Sequence, residues 1–331
     1  MTAYTERQQG SKLSDFFQTH AHVLSIAAFL LACCLLFGAI NPVFFSTGNL
    51  LNLLRQASPT LIVAVAMTFV ITTGGIDLSV GSIIALVNAV AALMLRAGWD
   101  WWLVSPLMLV LGAGIGLFQG FFIAYQKIPA FIVTLAGLSA IRGVALVLTG
   151  GFSILIPPSI FLSIGRGAVF GIPNPAILGL FVALAGYIVL NTMVYGRRVC
   201  AVGANAEAAR RVGMPAQRVI ASVYVWSGVL SALAALVVAA RLGSGSSNAA
   251  VGTELDVIAA VVLGGTSLAG GRGTIVGTVL GALTISVISN GLILAHIDAF
   301  FTQIVTGAII LTAIWLNTRI FDHVGTARRR G

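Results

Sequence analysis

The sequence predicts an all-α membrane protein with about ten transmembrane helices, and three observations lead to this fold class. Of the 331 residues, 58% are hydrophobic and only 8% are charged, whereas about a quarter of the residues in a soluble domain are charged. Apolar runs of about 20 residues, the length that spans a bilayer, recur along nearly the whole chain. Lys and Arg collect in the connections between alternate runs, as membrane insertion requires.

Ten segments of roughly spanning length follow one another, and the second and eighth are the shortest. They are residues 22–40, 59–74, 79–96, 103–125, 130–149, 175–194, 219–240, 256–270, 274–294 and 299–318. With a cytoplasmic N-terminus, the 18 Lys and Arg divide into 13 inside, four outside and Arg142 within a helix. The four outside are Arg55, Arg96, Arg166 and Arg241. This asymmetry sets the predicted orientation.

The same division predicts the domain organisation. Residues 1–21 are polar, and no small-residue cleavage site clearly follows the first apolar run, so we expect an uncleaved cytoplasmic tail. Residues 22–318 form the transmembrane domain, with a cytoplasmic loop at 195–218, and residues 319–331 form a basic cytoplasmic tail. Both termini are therefore predicted to be cytoplasmic.

The connection between the second and third segments is the most unusual intramembrane stretch, because it reads Gly74-Gly75-Ile76-Asp77-Leu78-Ser79-Val80-Gly81. Paired glycines release the backbone from helical geometry. An aspartate at membrane depth costs about 2.5 to 3.5 kcal/mol on insertion scales, so we expect Asp77 to face the bundle interior. Two roles stay open: Asp77 and Ser79 could cap the third helix, or they could contact a transported solute at a broken helix.

A second polar break follows the seventh segment. It runs from Gly243 to Asn248 and continues to Glu254 and Asp256 just before the eighth segment. Both breaks have the same plan: a long helix, a glycine-rich interruption with carboxylates, then another helix. The predicted topology places them on opposite sides of the membrane, which indicates an inverted repeat of segments 2–5 and 7–10.

Two long outer connections and two glycine patterns have open interpretations. Residues 41–58 and 150–174 could close the bundle or form a docking surface for an external partner. Gly-x-x-x-Gly steps occur in the fourth segment, at 116–120, and in the ninth, at 277–281. Such steps allow helices to approach closely, either within the bundle or between subunits.

Motifs for several other functions are absent from the sequence. The glycine-rich stretch at 264–273 contains no Gly-Lys-Ser/Thr, and the only lysines are Lys12 and Lys127, so no phosphate-binding loop occurs. The sequence also lacks a Gly-x-Ser-x-Gly nucleophile motif, zinc-protease spacing and paired cysteines. The net charge of +9 fits orientation in a membrane better than nucleic-acid binding. We therefore predict a chain that is not an enzyme and binds no metal or cofactor.

The loop at 195–218 is the only long basic segment within the apolar sequence, and it contains signals for a short helix. Asn205 is a good N-cap, Glu207 lies in the first turn, and Gly213 followed by Pro215 ends the helix. Ala208, Ala209 and Val212 are predicted to share a small apolar face. A helix this short is marginal alone in water, so it must pack on its own bundle or on a cytoplasmic partner.

Three motifs in order resemble the ribose/xylose/arabinose-type permease subunits of bacterial ABC importers. They are the Gly74–Gly81 stretch, the loop Gly203-x-Asn205-x-x-Ala208-Ala209 ending in Gly213, and Glu254-Leu255-Asp256-Val257-Ile258-Ala259-Ala260-Val261-Val262-Leu263-Gly264-Gly265. The resemblance covers residues 24–320. The related branched-chain amino-acid permeases share the architecture but differ around Gly-Gly-Ile-Asp, which favours a sugar permease.

The resemblance implies a ten-helix permease of the bacterial inner membrane that dimerises with a second copy or a homologue. It would receive a monosaccharide, such as a pentose, a hexose or a related polyol, from a periplasmic binding protein. A separate cytoplasmic ABC ATPase would use ATP to drive transport. Residues 203–214 would be the coupling helix that sits in a groove of the ATPase.

The candidate site residues form two sets. The predicted ATPase-coupling residues are Gly203, Asn205, Glu207, Ala208, Ala209, Arg210, Gly213 and Met214. The candidates for the translocation path or the helix breaks are Gly74, Gly75, Asp77, Ser79, Glu254 and Asp256. Two rival functions remain open: an ion-gradient-driven secondary transporter that uses these carboxylates as a proton or sodium site, and a scaffold that gathers partners at the basic loop.

Overall fold

The computed structural model describes residues 23–298 and, beyond them, only positions 301, 304, 305, 307, 308 and 311. These residues are largely helical, and their helices are α1 (Val23–Ile40), α2 (Thr47–Thr72), α3 (Val80–Arg96), α4 (Trp101–Ala124), α5 (Ala130–Thr149), α6 (Ser163–Arg166), α7 (Asn174–Asn191), α8 (Val194–Ala204), α9 (Ala206–Arg211), α10 (Ala216–Leu242), α11 (Thr253–Leu263) and α12 (Ile275–Leu294). Seven of them are long and apolar enough to cross a membrane. The predicted all-α membrane fold is confirmed, whereas the segment at 299–318 and both tails fall outside the continuously described residues.

The two longest helices, α2 and α10, pack together at the centre. They run antiparallel, as shown by Arg55 near the start of α2, which lies beside Arg241 at the end of α10. Helix α4 packs closely on α10 through glycines. A Cβ on Gly112 would overlap the carbonyl oxygen of Gly228, and a Cβ on Gly116 would overlap that of Tyr224. Within this chain, Gly112 and Gly116 therefore serve bundle packing.

Helix α2 begins earlier than its apolar run, so the predicted outer connection at 41–58 is wrong. A 3-10 turn at Pro42–Phe45 leads directly into α2. The Ser46 hydroxyl caps the start of α2 by accepting a hydrogen bond from the Asn49 amide. Polar residues on the exposed side of the first turns and an internal proline, Pro59, hid this part of the helix from a hydropathy pattern. Most of the expected connection is thus helical.

The outer connection at 150–174 folds back onto the bundle instead of forming an open loop. Its first strand, β1 (Ile154–Leu155), pairs antiparallel with β4 (Ser244–Gly245) of the second polar break. The strands β2 (Ala168–Val169) and β3 (Ile172–Pro173) form a small hairpin beyond α6. This connection therefore helps to close the bundle at the end where α10 stops.

The eighth predicted segment, 256–270, differs from the structure. Helix α11 has 11 residues, or about 16 Å, which is too short to span a bilayer. Before it, residues 244–252 run back into the bundle beside α3: Gly245 lies against Asn88, and Ala250 lies against Gly81. An extended segment and a short helix thus share this crossing, which makes it a broken helix as the inverted-repeat pattern predicts.

Candidate functional site

Asp77 lies in the turn between α2 and α3 and is fully buried. Its Oδ1 accepts hydrogen bonds from the Ser79 amide at 2.9 Å and from the Ser79 hydroxyl at 2.6 Å. Its Oδ2 accepts from the Ser227 hydroxyl of α10 at 2.6 Å. The carboxylate therefore organises the start of α3 and also ties this turn to the central helix α10.

The surroundings of Asp77 are polar but enclosed. Ser79 accepts a hydrogen bond from the Gln119 amide of α4 at 2.9 Å, and a Cβ on Gly137 of α5 would overlap that amide group. Gly74 adopts a positive φ of 81°, which lets the chain leave α2. Gly75 faces the Tyr224 hydroxyl so closely that a Cβ would overlap it. Helices α4, α5 and α10 thus converge on the break between α2 and α3.

The carboxylate end of the second break lies beside the first one. Glu254 packs its Oε2 against Gly81, in the first turn of α3, so close that a Cβ on Gly81 would overlap the oxygen. The prediction that the two breaks lie on opposite sides of the membrane is therefore wrong for this end, because residues 246–252 return along α3. Asp256 sits in the first turn of α11 and is half-buried.

Arg142 of α5 holds the returning segment in place. Its guanidinium donates to the carbonyl oxygens of Ser247 and Ala249 at 3.0 and 3.1 Å. The Ser247 hydroxyl also lies 3.0 Å from the Thr149 hydroxyl. The two carbonyl oxygens provide Arg142 with hydrogen-bond acceptors, as a cation at membrane depth requires.

Several buried polar atoms between α3, α10 and the second break have no hydrogen-bond partner among the described residues. They are Asn88 Nδ2, Tyr224 OH, Ser231 Oγ and Glu254 Oε2. Buried polar groups are normally satisfied by protein or water. These groups give the interior spare capacity for hydrogen bonds to water or to the hydroxyl groups of a solute.

The basic loop folds into two consecutive helices, α8 and α9, of which only the second was predicted. The Asn205 side chain caps α9 by accepting from the Ala208 amide at 2.9 Å. Glu207 pairs with Arg210 at 3.3 Å, and Gly213 ends the helix with a φ of 83°. The predicted caps are therefore present, on a helix of six residues.

The expected apolar face of α9 is divided between two sides. Ala209 is buried and Met214 packs against the bundle core, so this side fixes α9 to its own subunit. Ala208 and Val212 are exposed, and Val212 has 73% of its surface accessible. The outer side of α9 is thus free of cover by the described part of the chain.

Helix α8 joins α9 to the bundle. The Tyr195 hydroxyl lies 2.8 Å from the Ser222 hydroxyl of α10, and its ring packs beside Phe69 of α2. Burial raises the pKa of the Tyr195 phenol, and the bond with Ser222 acts in the opposite direction. This contact anchors α8 to both central helices.

A backbone junction links α8 to the first break. Gly203 lies against the Thr72 carbonyl at the end of α2, where a Cβ would overlap the oxygen. The Gly271 amide donates to this same carbonyl at 2.8 Å, and Gly270 lies against Gly203 and Gly74. Displacement of α8 at this junction would therefore act directly on the end of α2 and on the connection between α11 and α12.

Sequence patterns missed the partners of the predicted residues, among them Gln119, Tyr224, Ser227 and Arg142. Polar residues on otherwise apolar helices were the available signal. Their pairing with Asp77 or with the second break joins distant parts of the chain, for example over 150 positions for Ser227 and Asp77. Local spacing carries no information about such contacts.

Comparison with known proteins supports one family. A family model described as the branched-chain amino acid transport system / permease component matches residues 49–314. The chain is 43% identical over 294 residues to the ribose import permease protein RbsC of Haemophilus influenzae, covering 87% of this chain and 90% of that protein. It is 43% identical over 282 residues to the RbsC protein of Bacillus subtilis, with coverages of 85% and 88%.

A xylose permease is also similar. The xylose transport system permease protein XylH of Escherichia coli is 35% identical over 337 residues, with coverages of 83% and 86%. No solved structure matches the chain. The resemblance seen in the three motifs is therefore confirmed, and the chain belongs to the family of branched-chain amino acid transport system permease components, among relatives named as ribose and xylose import permeases.

Proposed function

We propose that this chain is the permease subunit of an ATP-driven importer that moves a monosaccharide across the bacterial inner membrane. The observation that carries the proposal is the junction of Gly203 with Thr72 and Gly271, which connects the exposed helix α9 to the polar break at Asp77. The names of the ribose and xylose relatives support a sugar or related polyol as the solute. In this arrangement, α9 and both termini of the chain lie on the cytoplasmic side, where the ATPase binds.

In the proposed mechanism, a conformational change of the cytoplasmic ATPase is transmitted to the interior of the bundle. A separate ABC ATPase binds the outer side of α9 around Ala208 and Val212, and ATP binding shifts α9 together with α8. Because α8 is anchored through Tyr195 and touches the end of α2 through Gly203, this shift changes the geometry of the first break and of the connection between α11 and α12. The polar interior near Asp77 and Glu254 then opens to one side of the membrane and closes to the other.

An uncharged sugar suits the chemistry of this interior. Asp77 accepts three hydrogen bonds from serine groups, so much of its hydrogen-bonding capacity is already used within the protein. The spare polar atoms are an amide, two hydroxyls and one carboxylate oxygen, which match sugar hydroxyls. A periplasmic binding protein would deliver the solute, and a second permease copy or homologue would complete the pathway.

Reconstitution tests the proposal against an ion-driven carrier. The purified permease is reconstituted in liposomes with and without its partner ATPase and sugar-binding protein. We expect uptake of labelled pentose or hexose only when both partners are present and ATP is supplied on the side of the membrane that carries the ATPase. Uptake by the permease alone, driven by a proton or sodium gradient, would contradict the proposal and favour Asp77, Glu254 or Asp256 as an ion site.

A further inference from the structure

Three arginines from separate elements converge on one polar cavity. Arg55 of α2, Arg166 of α6 and Arg241 of α10 line it, together with Asn52, Gln56 and Leu242. The cavity has a volume of about 390 Å³. Among the described residues, its lining contains no acidic side chain.

Close backbone packing builds this cavity. A Cβ on Gly165 would overlap the backbone of Arg241, and a Cβ on Gly243 would overlap the Arg166 guanidinium. Arg166 Nε donates to the Arg241 carbonyl at 3.0 Å. The two glycines therefore allow Arg166 to lie across the end of α10, where its charge adds to that of Arg241.

The positive charge of the cavity is not balanced by described residues. None of the three arginines forms an ion pair with a described residue, and Arg55 and Arg241 are close enough to repel each other. Arg55 Nε is buried and has no hydrogen-bond partner. Arg55 and Arg241 are half-buried and Arg166 is exposed, and half-buried like charges are unfavourable unless an anion completes the site.

The cavity lies at the end of the bundle opposite to α9. Arg55 and Thr72 are both on α2, 17 positions apart, which corresponds to about 26 Å of helix. In the predicted topology this end faces outward, where only four Lys and Arg occur. Three of these four form the cavity, although arginine is generally depleted on the outer side.

We propose that this three-arginine cavity receives carboxylate side chains of the periplasmic sugar-binding protein when it docks. The guanidinium group suits carboxylates because it donates two parallel hydrogen bonds. Lipid phosphate is the competing occupant, and a dependence on anionic lipid content distinguishes it from docking. The inference rests on the proposed function and adds the site and chemistry of docking.

Docking of the sugar-binding protein to the complete transporter in nanodiscs tests the inference. The probe is the binding protein that supports uptake in the reconstitution above. For Arg55→Gln we expect docking about tenfold weaker, mainly through slower association, together with a smaller dependence on salt. The matched control is Arg96→Gln, which removes the fourth outer arginine at the end of α3 and should leave docking unchanged.

A charge exchange guards against a folding defect. Arg166→Glu should weaken docking strongly, and replacing the contacting acidic residue of the binding protein by Lys should restore it. Wild-type docking by both Arg55→Gln and Arg166→Glu, while the wild-type transporter imports sugar, would overturn the inference and leave the proposed function standing. If the two arginine variants differ from the wild type in how uptake depends on anionic lipid content, but dock the binding protein normally, the cavity binds lipid. That result would also overturn the inference. Absence of ATP-driven uptake by the wild type would overturn both.

Discussion

Replacement of Asp77 separates its structural role from a role of its charge. The carboxylate accepts three hydrogen bonds in a fully buried site. In Asp77→Asn, the remaining oxygen can keep both bonds from Ser79, and the new amide group can donate to Ser227, whose hydroxyl can turn to accept. Each bond becomes a neutral one, but the cost of burying a charge disappears.

The expected magnitudes differ clearly between two variants. Bonds to charged groups contribute about 1.5–3 kcal/mol and neutral ones about 0.5–1.5 kcal/mol, so after the smaller burial cost we expect Asp77→Asn to lower the free energy of unfolding by about 1 kcal/mol. Asp77→Ala leaves the Ser79 amide and the Ser227 hydroxyl without an acceptor, at about 1–3 kcal/mol each, whereas the Ser79 hydroxyl can still donate to Gln119 Oε1. Its loss is therefore at least about 2 kcal/mol.

Two assays measure these effects. Thermal unfolding in nanodiscs compares the stability of wild type, Asp77→Asn and Asp77→Ala, and reconstituted uptake compares their function. We expect Asp77→Asn to assemble normally and retain partial transport, whereas Asp77→Ala loses most of its stability and transport. A stable, well-assembled Asp77→Asn protein with no transport would refute this reasoning and show that the charge itself is required.

Three further predictions concern helix contacts and the exposed helix. Ala208→Trp should leave the permease folded but abolish the stimulation of ATP hydrolysis by the binding protein, since it adds bulk to the outer side of α9; unchanged stimulation would remove this side from the interface. Gly112→Val should lower the melting temperature by several degrees because its side chain meets Gly228, whereas Gly114→Val, with open space around it, should not; equal melting temperatures would contradict this packing. Ser227→Ala should destabilise the permease by about 1–3 kcal/mol, because it leaves one oxygen of Asp77 without its donor; unchanged unfolding would contradict that role.

Local signals were sufficient for elements that are defined by their own sequence. Helix α5 was predicted with the bounds that the structure gives, because a long apolar run lies between Pro129 and two glycines. The caps of α9 were likewise visible, since Asn205 and Gly213 act within a few residues of their own backbone. The resemblance to sugar permeases also followed from such short motifs.

Elements shaped by distant contacts could not be predicted in this way. The start of α2 carries polar residues that later prove to face the arginine cavity, so its hydropathy resembled that of a loop. The returning segment before α11 is held by Arg142 and Asn88, which lie on other helices. Helix α8 is rich in polar and small residues and is stabilised by its packing on α2 and α10 rather than by its own composition.

The two breaks show the same division between local and long-range information. Their glycines and carboxylates indicated interrupted helices, but their relative position depends on residues 246–252 returning along α3. As a result, Glu254 lies next to the helix turn that follows Asp77. This proximity gives the proposed mechanism one polar region to open and close instead of two separate ones.

The number of sugar molecules imported per ATP hydrolysed in Gly203→Ala tests the central claim most directly. The new methyl group meets the backbone at Thr72, so we expect the ATPase to bind and hydrolyse ATP while the ratio of import to hydrolysis falls at least about fivefold. Gly114→Ala is the matched control and should keep the wild-type ratio. A wild-type ratio in Gly203→Ala would contradict transmission through the junction between α8 and α2.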